Sequence, residues 1–537
     1  MTETTPRPPG EPAIIFVASG KGRWMALLAA FLGWMFDGFE MGLFPLVARP
    51  ALQDLLGVTD ASVIGPWFGL MIAVFLVGAA TGGVLFGWLG DRVGRVRAMV
   101  LSVLTYSLFM GACGFATTVE QVFVLRFLSA LGMGGEWSLG VALVMEIWPN
   151  RSRAMLAGLI GAAANFGFLL VGVIGLGLGK VITSMDGWLR ALGIGDETVD
   201  MLVSHSGWRL MMIVGAIPAL LTFMIRIFVP ESERWLHEKK QGATSHWANV
   251  DLLGVLIGAS GPLLIMYLWA PQTDLSMAVR IAGSLLGLAV AIGGYSYPIF
   301  RYLRRASVDN RDPHHGTGPT LRRMLLGACL SGVALLGTWG SLQWAAPWAD
   351  QLVERSPEAA AMSPNDRAAA RSEARSYTGM LSALGAIIGT MLGALVGDMI
   401  GRRATYALLC AGSLISSLVF YQLNTGYGGM FLVTVFIAGG ITASFYGWLP
   451  LYLPELFRTN VRATGQGFSF NFGRIIAAVG ALQTGSLMAV FAGDRLLGDI
   501  TIKGGFPLAC SVMSLIYLVG LGLILLAPET RGQPLPD

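Results

Sequence analysis

Long apolar stretches, each closed by a short polar one, follow one another along nearly the whole chain. A helix rises about 1.5 Å per residue, so roughly 20 apolar residues cross the hydrocarbon of a bilayer. Stretches of that length fall at about 24–46, 66–89, 97–117, 121–148, 154–177 and 209–229. Two follow at about 252–270 and 279–300, then six at about 324–345, 376–396, 404–423, 429–453, 465–491 and 505–527. The pattern predicts an all-α integral membrane protein with about fourteen spans. Before the first span lies MTETTPRPPGEP, polar and Pro-rich, unlike the charged-then-apolar order of a cleaved signal peptide. Residues 1–22 therefore read as a disordered cytoplasmic tail.

Lys and Arg beside span ends favour the cytoplasm. One set of turnarounds carries Lys21, Arg23, Arg92, Arg95, Arg97, Arg151, Arg153, Arg234, Lys239 and Lys240. It continues with Arg301, Arg304, Arg305, Arg322, Arg323, Arg402, Arg403, Arg458 and Arg462. The other set is poorer, although 346–375 holds Arg355, Arg367, Arg371 and Arg375. The bias, roughly two to one, puts both termini in the cytoplasm and demands an even number of spans. Segments 180–207 and 346–375 then become long external loops.

Composition narrows the class. Of 537 residues 54% are hydrophobic and 13% charged, about half the charge of a soluble domain. The 72 glycines suit helices that pack closely through small residues. Four scattered cysteines (Cys113, Cys329, Cys410, Cys510) and five histidines in polar connections support neither a disulfide framework nor a metal site. No nucleophile–base set and no G-x-x-x-x-G-K-[ST] pattern occurs, so neither an enzyme nor an ATP-driven pump is expected. The expectation is a monomer without cofactor or nucleic acid, whose partners are the bilayer, a small-molecule substrate and protons.

The chain repeats itself. GDRVGRVR from Gly90 matches GDMIGRRA from Gly397; Glu146, Arg153 and Gly158 answer Glu455, Arg462 and Gly467; PESER after the sixth span answers PETRG after the last. Three markers in the same order argue for two six-helix bundles, 23–235 and 323–528, from duplication. The linker 236–322 carries the two extra spans, and 529–537 is a cytoplasmic tail.

Ionisable groups inside apolar spans are the candidate chemistry. A charge in hydrocarbon costs roughly 2.5–3.5 kcal/mol on insertion scales, so it normally faces a bundle interior or a cavity. RFLSALGMGGEWSLGVALVMEIWPNRSR, from Arg126 to Arg153, places Arg126, Glu136 and Glu146 along one such helix. Asp37 and Glu40 share a helix face one turn apart, and two poorly solvated carboxylates cannot both ionise readily. Asp37, Glu40 and Glu136 are the proton-coupling candidates, against a solvated Glu40 and a merely packed Glu136. Arg126 either meets Asp37 or Glu40 as a structural ion pair or binds a substrate carboxylate. Asn165, Asn471 and Arg474 are further polar groups that must find partners, and Arg474 is a rival anion ligand. Trp339, Gln343, Tyr446 and Trp448 either line the same cavity or serve packing and interface belts. Arg126 and Glu136 have no counterparts 309 residues on, where Val435 and Phe445 stand. That asymmetry assigns coupling to the first bundle.

GWLGDRVGRVRAM resembles the signature loop between helices 2 and 3 of the major facilitator superfamily, and GDMIGRR resembles its second-half counterpart. PESERW and PETRG resemble the markers that close each half in sugar-porter relatives. GMGGEW, MEIWPNRSRA and DGFE, with two extra central helices, resemble the sialate:proton and metabolite:proton symporter branches. One departure is Ala130, where the helix-4 motif usually carries glycine, although Gly132 and Gly134 lie within a turn. The resemblance implies alternating access by two bundles and a small organic anion as cargo: a sialic acid, a sugar acid or a carboxylate metabolite. It leaves open a proton-independent facilitator, a neutral-sugar porter or an exporter of the same fold. It also implies that the loop motifs gate. Gly87, Asp91, Arg92, Gly94 and Arg95, then Asp398, Arg402 and Arg403, would engage Glu146, Arg153, Glu231, Glu455, Arg462 and Glu529 when the cavity faces outward. The bland alternative is that these arginines only enforce topology.

Overall fold

A computed structural model describes residues 20–536, apart from 149–151, 270–272, 307–316, 476, 479–486, 489 and 498–499. Arg151, most of the 1–22 tail and part of the expected 465–491 span lie outside the described residues.

The first half folds as five long helices: α1 (Gly20–Leu56), α2 (Ala61–Val93), α3 (Arg95–Cys113), α4 (Val119–Ile147) and α5 (Arg153–Leu176). α2 and α3 are separated by one residue, Gly94, at φ 116°, and Gly401 repeats this at φ 103° in the second half. A side chain strains that backbone, which explains the glycine in both GDxxGR loops. Thr118 caps α4 by accepting from the Gln121 amide.

The next elements are α6 (Leu178–Ala191), α7 (Asp196–Val214), α8 (Leu221–Phe228) and α9 (Glu233–Lys240). The expected span 209–229 is not one helix: α7 ends at Gly215, a 3-10 turn covers Ile217–Leu220, and α8 follows. Pro218 within that turn lacks the amide a continuous helix needs. Within the expected loop 180–207, α6 and the start of α7 are helical. α6 buries none of its residues, and Trp188 is 70% exposed.

The linker forms a hairpin, α10 (Leu252–Trp269) and α11 (Met277–Ala306). A Cβ on Gly258, Gly261, Gly287 or Gly294 would meet the facing helix, so the two axes come close. The hairpin lies against α2 and against the second half. Tyr295 shares a 2.7 Å hydrogen bond with Thr81 of α2 and stands edge-on to Phe472.

The second half comprises α12 (Thr317–Gly340), α13 (Ala345–Glu354), α14 (Pro357–Ala361), α15 (Pro364–Ile400), α16 (Arg402–Leu423), α17 (Gly429–Ala443), α18 (Phe445–Tyr452) and α19 (Arg462–Asn471). A short antiparallel hairpin, Arg495–Leu497 with Ile500–Ile502, precedes helices Phe506–Ser514 and Ile516–Leu523. The expected loop 346–375 is helical as well. Ser356 and Ser363 each cap a helix that begins with proline, the favoured start of a helix and one not read from the loop's charge. Among the described residues twelve helices are long and apolar enough to cross a membrane.

Small residues decide where helices meet. Gly82 and Gly134 bring α2 against α4, and Gly38 and Gly167 bring α1 against α5. Gly132 supplies close approach of α4 to Ser102 and Tyr106 of α3, despite Ala130. Two seams join the halves: α5 on α15, through Gly158 and Gly172, and α2 on α19, through Gly83 and Gly467.

Candidate functional site

Glu40 and Asp37, the buried carboxyls of α1, find their neighbours on α4. Glu40 accepts from Ser129 Oγ at 3.3 Å and lies 3.9 Å from Arg126 Nη1. The Arg126 guanidinium also sits over the Phe44 ring at 3.6 Å. Asp37 and Glu40 share a face, yet the charge that acts most strongly on Asp37 is that of Glu136 on α4. Two ionised carboxylates cannot bond to each other; one proton between them makes a hydrogen bond. No donor among the described residues reaches either carboxyl. Gly33 leaves the space that Glu136 fills, since a Cβ there would overlap its carboxylate.

Arg474, where the helix resumes after the turn at Phe472, brings the second half to this cluster. It is buried, its charge acts on Asp37, and its Nε and Nη1 have no partner among the described residues. The Phe470 ring lies beneath its guanidinium at 5.5 Å. Phe470 stacks on Trp137, with Trp34 edge-on to both. Tyr446 stands edge-on to Phe470 and bonds Thr338 Oγ1 at 3.0 Å.

The remaining candidates are not gathered there. Asn471 donates to Gly134 O at 2.9 Å, bracing α19 on α4. Asn165 is half-buried and donates to Gly161 of its own helix at 3.4 Å. Trp339 is buried in the core cluster that holds Leu335 and Ala477, and Gln343 is half-buried in the turn after α12. Trp448 corrects its expected cavity position. Its Nε1 donates to Arg402 O at 3.0 Å and its ring stacks on Tyr452, because α18 carries it into the motif end of the second half.

At that end the duplicated residues form two similar knots. Arg95 bonds Asp91 at 3.0 Å, Glu146 at 3.2 Å and Gly90 O at 2.8 Å. Arg402 bonds Asp398 at 3.3 Å, Glu455 at 2.7 Å and Gly397 O at 2.7 Å. Glu231 accepts from the Arg95 amide at 2.9 Å, as Glu529 does from the Arg402 amide at 3.0 Å and the Arg403 amide at 3.1 Å. Ser232 donates to Glu146, and Thr530 to Glu455. Burial raises the Glu231 carboxyl above its ordinary range, the backbone donors offsetting it only in part. Burial also pushes on Glu529, but the amides of Arg402, Arg403 and Arg531 outweigh it and hold that carboxyl low.

Several links cross from the knots to the other half. Arg462 Nη1 lies 2.8 Å from Glu146, Arg153 lies 3.9 Å from Glu455, and Arg95 donates to Thr459 O at 2.6 Å. Asp91 accepts from the amides of Ala463 and Thr464 at 3.2 and 2.8 Å, at the positive N-terminus of α19. Gly87 lets α2 approach Ala463 and Thr464, and Gly94 leaves room for Glu231. Asp398 does not copy Asp91, its side chain being 56% exposed. Arg92 stands aside, bonding Asn249 and covering Trp88.

Sequence reasoning missed Gly33, Trp34, Trp137, Phe470 and Ser129. Trp137 adjoins Glu136 and Phe470 lies one turn before Arg474, a proximity that was available in the sequence.

Residues 25–249 match the family described as sugar (and other) transporter. A probable 4-methylmuconolactone transporter of Cupriavidus pinatubonensis is 27% identical, over 94% of this chain and 90% of its own. A cis,cis-muconate transport protein of Acinetobacter baylyi is 25% identical, over 93% of this chain and 95% of its own. The fold resembles the proton:xylose symporter XylE of E. coli bound to 6-bromo-6-deoxy-D-glucose, with TM-score 0.61 at 16% identity, over 96% of this chain and 98% of that one. The chain has the all-α membrane fold of the major facilitator superfamily, and the proteins it is similar to, over the matched first half and over the full length, are described as transporters.

Proposed function

We propose that the chain is a proton-coupled symporter of a small organic anion, working by alternating access between bundles 23–235 and 323–528. The observation that carries this reading is the buried triad of Asp37, Glu136 and Arg474, two carboxyls against one cation from the other half. One guanidinium neutralises one carboxylate. It serves either Asp37 or the carboxylate of a substrate, so anion binding requires a proton on Asp37, shared with Glu136. The anion and its proton then move together. Glu40 with Arg126 is a second, separate pair on the same two helices. The names of two full-length relatives, a muconolactone transporter and a muconate transport protein, support a carboxylate or its lactone as cargo.

The motif end is cytoplasmic in this reading, with both termini on that side, in the inner membrane of the cell. The links from Arg462, Arg153, Arg95 and Asp91 across the halves then hold the cytoplasmic side shut, and separate on inward opening. The protein acts as a monomer. The test is uptake of labelled organic acids by protein reconstituted in liposomes, with the outside more acidic. Accumulation above equilibrium that a protonophore abolishes is expected. Equal uptake with and without the proton gradient would establish a facilitator instead.

A further inference from the structure

Among the described residues a single face-to-face aromatic stack joins the two halves, and one of its rings belongs to the residue that follows Glu136. Trp137 of α4 and Phe470 of α19 have ring centroids 3.7 Å apart and planes 12° from parallel. Each ring adjoins a charged member of the site, Trp137 following Glu136 and Phe470 lying under Arg474. Three edge contacts flank the stack: Trp34 at 61° to Trp137 and 71° to Phe470, and Tyr446 at 77° to Phe470. The indole Nε1 of Trp137 is buried and has no partner among the described residues. A buried donor left unbonded is costly, so this one is poised for an acceptor brought from outside.

We infer that the Trp137–Phe470 stack determines specificity, accepting flat, unsaturated carboxylates and rejecting saturated or puckered ones of the same length. The inference rests on the reading that Arg474 takes the substrate carboxylate. Because one ring belongs to each half, their separation follows the relative motion of the halves. A conjugated acid is one atom layer thick and meets a ring on each face at about 3.5–4.0 Å. With a carboxylate on Arg474, its π-system would lie along the Phe470 face and its far oxygen within reach of Trp137 Nε1. The rings, in contact at 3.7 Å, would part to about 7–8 Å around a flat acid and further around a chair-shaped ring or a puckered sugar acid. This selects against the sialic and sugar acids that the sequence left open.

The test measures binding of matched acids to the purified full chain: cis,cis-muconate against adipate, and benzoate against cyclohexanecarboxylate. The wild type is expected to prefer the flat member of a pair by about tenfold. Trp137→Leu and Phe470→Leu should each bring that ratio to near one, and Trp137→Tyr should keep most of the preference. A merely structural stack would weaken both members equally. Equal affinity for both members in the wild type, or equal weakening in both leucine variants, would overturn the inference while leaving anion transport standing. Binding of none of the four acids at any pH would overturn both.

Discussion

Glu136 of α4 reaches across to the carboxyl of Asp37 on α1, through space that exists because residue 33 is glycine. The contact joins two helices of the first half. The second half contributes Arg474, which gives the pair a cation without giving it two. A buried ionised pair lacking partners is costly, whereas a proton shared between the two carboxyls removes most of that cost.

Gly33→Ala therefore strikes the site without changing any charge. The added methyl would displace the Glu136 carboxylate, and gradient-driven uptake should fall at least about tenfold, about 1.4 kcal/mol. Thermal unfolding should move by only a few degrees, the change being one methyl group. Uptake and unfolding measured on the same preparation separate a site effect from a folding effect; unchanged uptake would show that the carboxyl has room elsewhere.

Glu136→Gln keeps the shape and removes one titratable group. Accumulation against a gradient should be lost, while exchange of labelled for unlabelled substrate continues. The two assays in the same liposomes decide this, and retained uphill uptake would end the role of Glu136 in carrying the proton.

The ion pair between Arg462 and Glu146 should hold the motif end closed. Breaking a buried pair by removing one partner costs about 3–5 kcal/mol when the other charge is left bare. Arg95 and Ser232 still hold Glu146, so Arg462→Gln should shift the balance of states by less, about 2 kcal/mol or roughly 30-fold. Spin labels on the exposed positions Arg97 and Met399, after replacement of the native cysteines, would report it as a longer distance population. An unchanged distance distribution would reduce the pair to a topological feature.

The two glutamates that cap the loop motifs should respond to acid in sequence. Glu529 is held low, so its contribution is complete above the ordinary value of 4.5 and is lost as pH falls through its lower folded value. Glu231 is raised, so its charged form is disfavoured in the fold and it takes up a proton at higher pH than Glu529. On acidification the amides of Arg95 and Val96, bonded to Glu231, should lose protection before those of Arg402 and Arg403. Hydrogen exchange corrected for intrinsic rate measures this order, and simultaneous loss would contradict it.

Much of this was legible in the sequence because membranes impose a length and a charge asymmetry that the residues must obey. Apolar length located most of the spans, and duplicated motifs located the two knots at Arg95 and Arg402. The breaks were less legible. A run such as 209–229 reads as continuous by hydropathy, yet Gly215 and Pro218 interrupt its hydrogen bonds. Segments 180–207 and 346–375 read as external loops by charge, and the helices within them went unread, although capping serines and first-turn prolines start helices within the second. Helical spacing suggested that Asp37 pairs with Glu40, but spacing along one helix says nothing about what the neighbouring helix offers. Trp448 went astray for the same reason: its identity suited a cavity, and the bend between α17 and α18 decided its neighbours. Gly33 was invisible as a site residue because its contribution is the absence of a side chain.

The most direct measurement is substrate affinity as a function of pH for the wild type and for Asp37→Asn. Asparagine holds residue 37 neutral at every pH, leaving Arg474 to the substrate. In the wild type, binding that requires one proton on the Asp37–Glu136 pair should weaken tenfold per pH unit once that proton is lost. Asp37→Asn should bind the same acid with an affinity that does not change over that range, and should no longer accumulate it against a gradient. If Asp37→Asn keeps the wild-type slope, or binds at no pH, then Asp37 does not exchange Arg474 with the substrate and the coupling described here is wrong.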